Sequence, residues 1–339
     1  MNFGIDNLKH FISQNKEHII VLADKHTLDM CYPLLEQDLP HFIVPYGEGY
    51  KSIQSCEYIW KKLMEFNATR QSILLCLGGG IICDMGAFAG ACYQRGMRTV
   101  LCPTSLLAMV DASVGGKTGV NFLGFKNYIG VFKHAEDTFI CPEFLDTLPE
   151  CEMINGHVEM LKHGIIADKS HYDVVKLFFF NHKTIATHKI IAESISIKEK
   201  HVMRDFEDQG VRKRLNFGHT IGHAIESWSL ANSDENEELS HGVSVALGMI
   251  AESYISHKIA NLSDVELDEI SIELQGIVNS VNRDLPGYND LQKYLLRDKK
   301  NEDNRINFSL ISAIGVCREN YFVDEDVIEE SIEYLNRLK

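Results

Sequence analysis

Along the first 150 residues, short apolar runs alternate with stretches of helical period. The runs His18–Ala23, His41–Val44, Ser72–Leu77, Arg98–Cys102 and Thr138–Cys141 have the length and the apolar, partly β-branched content of strands. Between them, Ser52–Glu65 carries an irregular apolar stripe of Ile53, Tyr58, Leu63 and Met64. Strand–helix alternation predicts a parallel sheet covered by helices, and such sheets take ligands at the carboxyl ends of their strands. From about Leu148 the texture changes. Helical patterns at Val174–Phe180, Lys189–Met203, Val243–His257 and Val327–Leu338 dominate, and strand signals become rare. The patterning predicts an α/β domain over residues 1–150 and a mainly α-helical domain over 151–339, with no internal repeat.

Length and composition fit two soluble domains. A chain of 339 residues exceeds the size at which one core usually stops growing. The formal net charge of −15 argues against a nucleic-acid footprint and against attraction to an anionic membrane. No apolar run approaches the roughly 18 to 20 residues of a membrane span. The opening MNFGIDNLKHFISQNKEH lacks the pattern of a secretion signal, which predicts a cytoplasmic protein. The nine cysteines are scattered without a CxxC pair, and Cys76, Cys102 and Cys141 sit in apolar strands. They read as reduced, buried thiols rather than a disulfide framework.

Several patches carry candidate chemistry. The strand at Ser72–Leu77 runs into Gly78-Gly79-Gly80 and a helix of small residues, MGAFAGAC. Glycines there let backbone N–H groups approach a pyrophosphate, although a tight structural turn would look the same and the GxGxxG spacing is absent. Asp24, at the end of the first strand, is placed to accept a ribose hydroxyl. The segment PTSLLAMVDASVGGKTGVNFLGFKNYIG gathers Thr104, Ser105, Asp111, Lys117, Lys126 and Asn127 with little periodicity, as a loop gripping a polyhydroxylated anion would. Downstream, Glu159 and Lys162 share a helix face, as do His219 and His223 in GHTIGH. Lys198, Asp208, Arg212 and Asn216 add polar groups just before them.

Glu159, His219 and His241 together have the composition of a two-histidine, one-carboxylate metal site with an open position for substrate. Surface or helix-capping histidines are the competing reading in a chain with 15 of them. Within GHTIGH, spacing alone would let both histidines bind one ion, but the acidic residue that follows the first histidine in HExxH is missing.

These patches, in this order, resemble the 3-dehydroquinate synthases among the sugar phosphate cyclases. The resemblance rests on Gly47, Glu48 and Lys51, on GGGxxxD, YQRG at Tyr93–Gly96, MVDASVGGKT, GxKNxIG, GxxExxKxG, and LNxGHTxGHAIE followed by HG. It runs from about Asp24 to DKKN at Asp298–Asn301. It implies a Rossmann-like sheet in an NAD-binding first domain, a metal- and substrate-binding second domain, and a homodimer. Glu159, His219 and His241 match the metal positions, for zinc or cobalt. Asp24, Tyr46, Gly47, Glu48, Lys51, Gly80, Ile81, Ile82, Cys83 and Asp84 match NAD positions, with Thr104, Ser105, Lys117, Lys126, Phe144, Leu145, Asp146 and Thr147. Lys117, Lys162, Lys198, Asp208 and His223 match catalytic positions. Asp111, Asn127, Arg212 and Asn216 match substrate positions, Lys299 or Lys300 a phosphate contact, and Arg95 an arginine that reaches the neighbouring subunit's substrate.

The implied reaction converts 3-deoxy-D-arabino-heptulosonate 7-phosphate to 3-dehydroquinate and phosphate, by transient NAD-dependent oxidation, elimination, reduction and aldol closure. Another sugar phosphate cyclase, or a metal-dependent alcohol dehydrogenase of the glycerol dehydrogenase type, is the alternative. Three departures stand out. Cys83 replaces a glycine and is expected to crowd the nucleotide turn slightly, Asn155 and Val158 replace serine and alanine near Glu159, and Asp208 replaces glutamate.

Overall fold

In the computed structural model, the described residues are 1–339 except 124, 179–185, 234–237, 280–283, 297–305 and 339. Lys299 and Lys300 therefore lie outside them. The chain forms two compact units. One comprises Met1–Met153 with Ile185–Ile195, the other Ile154–Thr184 with Ser196–Lys339.

The first unit is built on β1 (Asn2–Phe3), α1 (Ile5–Asn15), β2 (Ile19–Ala23), α2 (Lys25–Met30), β3 (His41–Ile43), α3 (Ile53–Glu65), β4 (Ile73–Gly78), α4 (Gly80–Cys92), β5 (Arg98–Pro103), β6 (Lys117–Phe122), β7 (Phe125–Phe132) and β8 (Asp137–Ile140). Six strands form one sheet in the order β1-β8-β5-β4-β2-β3. Every pairing in it is parallel, with Cys76 opposite both Leu22 and Leu101. All residues of β2 and β4 are buried, as expected of strands covered on both faces, so they read as unbroken apolar runs. The small residues of α4 let it lie directly on the sheet. A Cβ at Gly86 would stand 2.4 Å from Cys76 Sγ.

The stretch expected as an aperiodic loop has more structure than that. A π-turn at Ala108–Ala112 buries Met109 and Val110, and then β6 and β7 pair as an antiparallel hairpin, Lys117 opposite Phe132. The alternation that marks a half-buried strand is missing because nearly all of β7 is exposed.

The second unit takes the larger part of α5 (Glu150–Ala167), α6 (Lys169–Phe178) and the end of α7 (Ala186–Arg204). It continues with α8 (His219–Asn232), α9 (His241–Ala260), α10 (Asp264–Val278), α11 (Tyr288–Leu295), β9 (Ile306–Ala313), β10 (Val316–Val323) and α12 (Glu325–Leu338). Its axis is α9, which is apolar nearly all round and packs against α8, α10, α12 and β9. The β9–β10 antiparallel hairpin lies within a domain expected to be mainly α-helical. Ile306, Phe308, Leu310 and Ile311 are buried, and such a short apolar run does not distinguish strand from helix by period. Among the described residues no helix is long and apolar enough to cross a membrane.

Candidate active site

Three helices of the second unit supply the groups of the suspected metal centre. On α5, Glu159 and Lys162 are each 1% exposed, and the Lys162 ammonium pairs with Glu159 Oε2. His219 and His241 are the first residues of α8 and α9. Ser240 caps α9, its Oγ accepting from the Val243 N–H at 3.4 Å.

Glu159 Oε1 is buried and accepts no hydrogen bond. It faces His219 Nε2 at 3.4 Å and His241 Nε2 at 3.7 Å, and one ligand atom from each residue lies within 4.8 Å of the others. Tetrahedral ligands about 2.1 Å from a zinc ion stand about 3.4 Å from one another. The three groups therefore fit a zinc-class ion in both donor chemistry and spacing. The imidazoles are aimed by their other nitrogens. His219 Nδ1 meets the Phe217 carbonyl at 3.1 Å, and His241 Nδ1 meets Glu226 Oε1 at 3.5 Å. In the neutral imidazole with its proton on Nδ1, each Nε2 presents a lone pair to the shared gap, so an ion entering there displaces a proton from His241.

The electrostatics favour a cation there. Burial opposes the charge on Glu159, but Lys162 and the two histidines outweigh it and hold the carboxyl well below the usual range. Burial and Lys162 lower His219. His241 moves the other way: against the effect of burial, Glu159 and Glu226 raise it to about 9. His223, one turn along α8, is exposed, with its ring 5.0 Å from that of His219 and 5.9 Å from that of His241. The start of α9 is tied to α5 by the Gly242 N–H, which donates to Asn155 Oδ1 at 2.8 Å. The departure at Asn155 thus has a structural role.

Lys198 and Arg212 are also buried in this unit, and the Arg212 guanidinium donates to the Phe206 carbonyl at 2.7 Å. Asp208 lies in a turn with φ 60. Asp205 builds that turn, accepting from the N–H groups of Gln209 at 3.0 Å, Gly210 at 2.7 Å and Arg212 at 3.0 Å. Asn216 ends the short helical segment that follows and is half-buried.

The candidate nucleotide residues belong to the first unit. Gly78 ends β4 and Gly80 starts α4. Beside them, the Thr104 N–H donates to the Gly78 carbonyl at 3.0 Å, and Ser105 Oγ accepts from the Ala108 N–H at 3.3 Å. Ile82 and Cys83 point into the core, and the Cys83 thiol rests 3.5 Å from the Gly78 carbonyl. The crowding expected from Cys83 is thus directed under the strand. Ile81 is half-buried in the first turn of α4. Asp24 caps α2, Oδ1 accepting from the Thr27 N–H at 2.9 Å. Tyr46 is exposed, edge-on to His26 at 4.8 Å. Gly47, at φ 113, opens the turn into Glu48, whose Oε1 accepts from Asn121 Nδ2 at 2.8 Å.

Lys51 joins two expected sets. Its buried ammonium donates to Asp84 Oδ2 and to Asn127 Oδ1, each at 2.6 Å. Lys117, Lys126 and Asn127 are exposed on the hairpin, while Asp111 is half-buried in the π-turn. Phe144 and Leu145 are core residues, so only their backbone can meet a ligand, whereas Asp146 and Thr147 are exposed. Arg95 is exposed in a turn where Gln94, Arg95 and Gly96 all have positive φ.

Sequence reasoning passed over Glu226, Asp205 and Glu252. Glu226 was legible, seven residues after His219 and hence on its face. The other two act on backbone groups and leave no spacing signal.

Two family models cover most of the chain: 3-dehydroquinate synthase N-terminal over residues 41–155 and 3-dehydroquinate synthase C-terminal over 156–301. The chain belongs to the 3-dehydroquinate synthase family. The 3-dehydroquinate synthase of Parabacteroides distasonis is 38% identical over 334 residues, covering 96% of this chain and 94% of its own. The fold is shared with a 2-epi-5-epi-valiolone synthase from Streptomyces hygroscopicus subsp. jinggangensis, solved with NAD+ and Zn2+ bound. Its TM-score is 0.84 at 22% identity, covering 95% of this chain and 92% of that one. It is also shared with a 2-deoxy-scyllo-inosose synthase solved with carbaglucose-6-phosphate, NAD+ and Co2+, at TM-score 0.82 and 21% identity, covering 98% and 96%.

Proposed function

We propose that this member of the family is an active 3-dehydroquinate synthase, a carbon–oxygen lyase that releases phosphate from 3-deoxy-D-arabino-heptulosonate 7-phosphate and closes the carbocycle of 3-dehydroquinate. The observation that carries the reading is the meeting of Glu159 Oε1, His219 Nε2 and His241 Nε2 in a chain whose two halves both match the family. A zinc-class ion held there supplies positive charge that acidifies substrate hydroxyls, and NAD supplies a hydride acceptor regenerated within each turnover.

The chain's own groups do the rest by position and charge. Lys162 keeps Glu159 an anion. His223, exposed beside both ligand histidines, is the proton carrier. Lys117, Asn127 and Asn216, with Arg212, Lys198 and Lys299, bind the anionic ends of the substrate, and Asp111 and Asp208 orient its hydroxyls. Lys51 fixes the orientation of Asn127, because its ammonium occupies the amide oxygen and leaves the NH2 as the group offered to phosphate. Asp24, Glu48, Asp84, Thr104 and Ser105 line the NAD side.

The functional form is a homodimer in which Arg95 completes the partner's phosphate site. Phe122, Phe125, Tyr128, Val131 and Phe132 stand exposed on the β6–β7 hairpin, an apolar surface suited to burial against a second copy. The nine cysteines are all unbridged, in keeping with the reducing cytoplasm.

Phosphate release from the heptulosonate phosphate, measured with and without NAD and a chelator, tests the reading. Release should require both NAD and metal, and absorbance of NADH should stay near zero while phosphate accumulates. Steady NADH production would overturn it in favour of a dehydrogenase.

A further inference from the structure

The start of α8 is held from outside its own helix. Gly218, the N-cap of α8, is left-handed at φ 78, and no side chain of the cap residue bonds the first turn. The first N–H groups of a helix lack partners within it. Here a carboxylate from α9 serves instead: Glu252 Oε2 accepts from the Gly218 N–H at 2.7 Å and Oε1 from the Ile221 N–H at 3.0 Å. Glu252 is 0% exposed. His219 lies between the two bonded N–H groups, so the backbone on both sides of it is pinned by one side chain.

The reach is possible because the two helices touch backbone to backbone. A Cβ at Gly218 would stand 2.2 Å from Met249 Cγ, and one at Gly248 would stand 2.0 Å from the Gly218 carbonyl oxygen. Along α9, His241 and Glu252 are eleven residues apart, about three turns, and therefore share the face that meets α8. One helix thus carries one suspected ligand at its own start and clamps the other suspected ligand from about three turns further along.

We infer that Glu252 is a positioning residue for His219, setting through α8 where His219 Nε2 meets Glu159 and so the affinity and geometry of the metal centre. This rests on the metal reading above. Loss of an outer partner of a metal ligand typically weakens binding by about 10–100-fold. Glu252→Gln keeps the shape but turns an NH2 toward a backbone donor. Glu252→Asp keeps the charge one methylene short.

The test titrates Co2+ into metal-free protein against a competing chelator and records the cobalt d–d absorption. Glu252→Gln should weaken cobalt binding by about 10–100-fold and displace the bands, with Glu252→Asp between it and the parent. Ser263→Ala removes the cap of α10, whose Oγ accepts from the Glu266 N–H at 3.3 Å. It should lower the Tm while leaving affinity and bands as in the parent, separating positioning from loss of stability. Parental affinity and bands in Glu252→Gln would overturn the inference. Should that variant fail to fold, the same result in Glu252→Asp would do so. His241→Ala checks the metal reading separately: if it keeps tight cobalt, or the parent takes none, that reading fails irrespective of Glu252.

Discussion

Asp208 stands where the family resemblance leads one to expect glutamate, and its backbone suits the shorter acid. At φ 60 it sits in the left-handed region, which aspartate tolerates better than most residues because its short side chain bonds locally. Asp208→Asn keeps the size and removes the charge. It should slow turnover tenfold or more, a loss of about 1.4 kcal/mol of transition-state stabilisation, measured as kcat for phosphate release. Parental turnover would leave the carboxylate without a role. Asp208→Glu should keep turnover and lower the Tm, since a longer side chain at positive φ costs about 1 kcal/mol. The replacement was legible in the sequence; its conformation was not, because nothing in Asp205–Asp208 announces a left-handed turn.

At the scale of elements, that turn depends on Asp205, which accepts three backbone N–H groups. Partial burial opposes the charge, but those N–H groups and Arg212 lower its pKa from 3.8. The sign follows: a depressed acid contributes stability above the ordinary aspartate range, and that contribution is lost as pH falls through its lowered value. Asp205→Asn should therefore raise KM for the phosphate substrate severalfold while metal content, by elemental analysis, stays parental. Unchanged KM would dissociate the turn from substrate binding. The legible elements were those with one dominant signal. Strands β2, β4, β5 and β8 fall within about a residue of their apolar runs, because burial on both faces writes an uninterrupted pattern. The β6–β7 hairpin has no buried face along β7 to write one. The β9–β10 hairpin did carry buried apolar residues, but in runs too short to separate from helix. Glu159, His219 and His241 were legible because their residue types are chemically marked; Glu252 reads like any helix glutamate.

For the whole molecule, Arg95 offers the sharpest test. Left-handed backbone at Gln94, Arg95 and Gly96 holds the exposed arginine in a sparsely populated conformation, a feature that gathers at functional sites. Mixing Arg95→Ala with Lys117→Ala protein should restore part of the activity through hybrid dimers. A mixture that stays dead despite demonstrated subunit exchange would refute completion across subunits. Under the proposed dimer, the apolar hairpin and this arginine leave a solitary chain both sticky and chemically incomplete. Output would then rise more steeply than copy number when the protein is scarce. Below the dimer's dissociation constant, doubling the number of chains would nearly quadruple the number of complete sites.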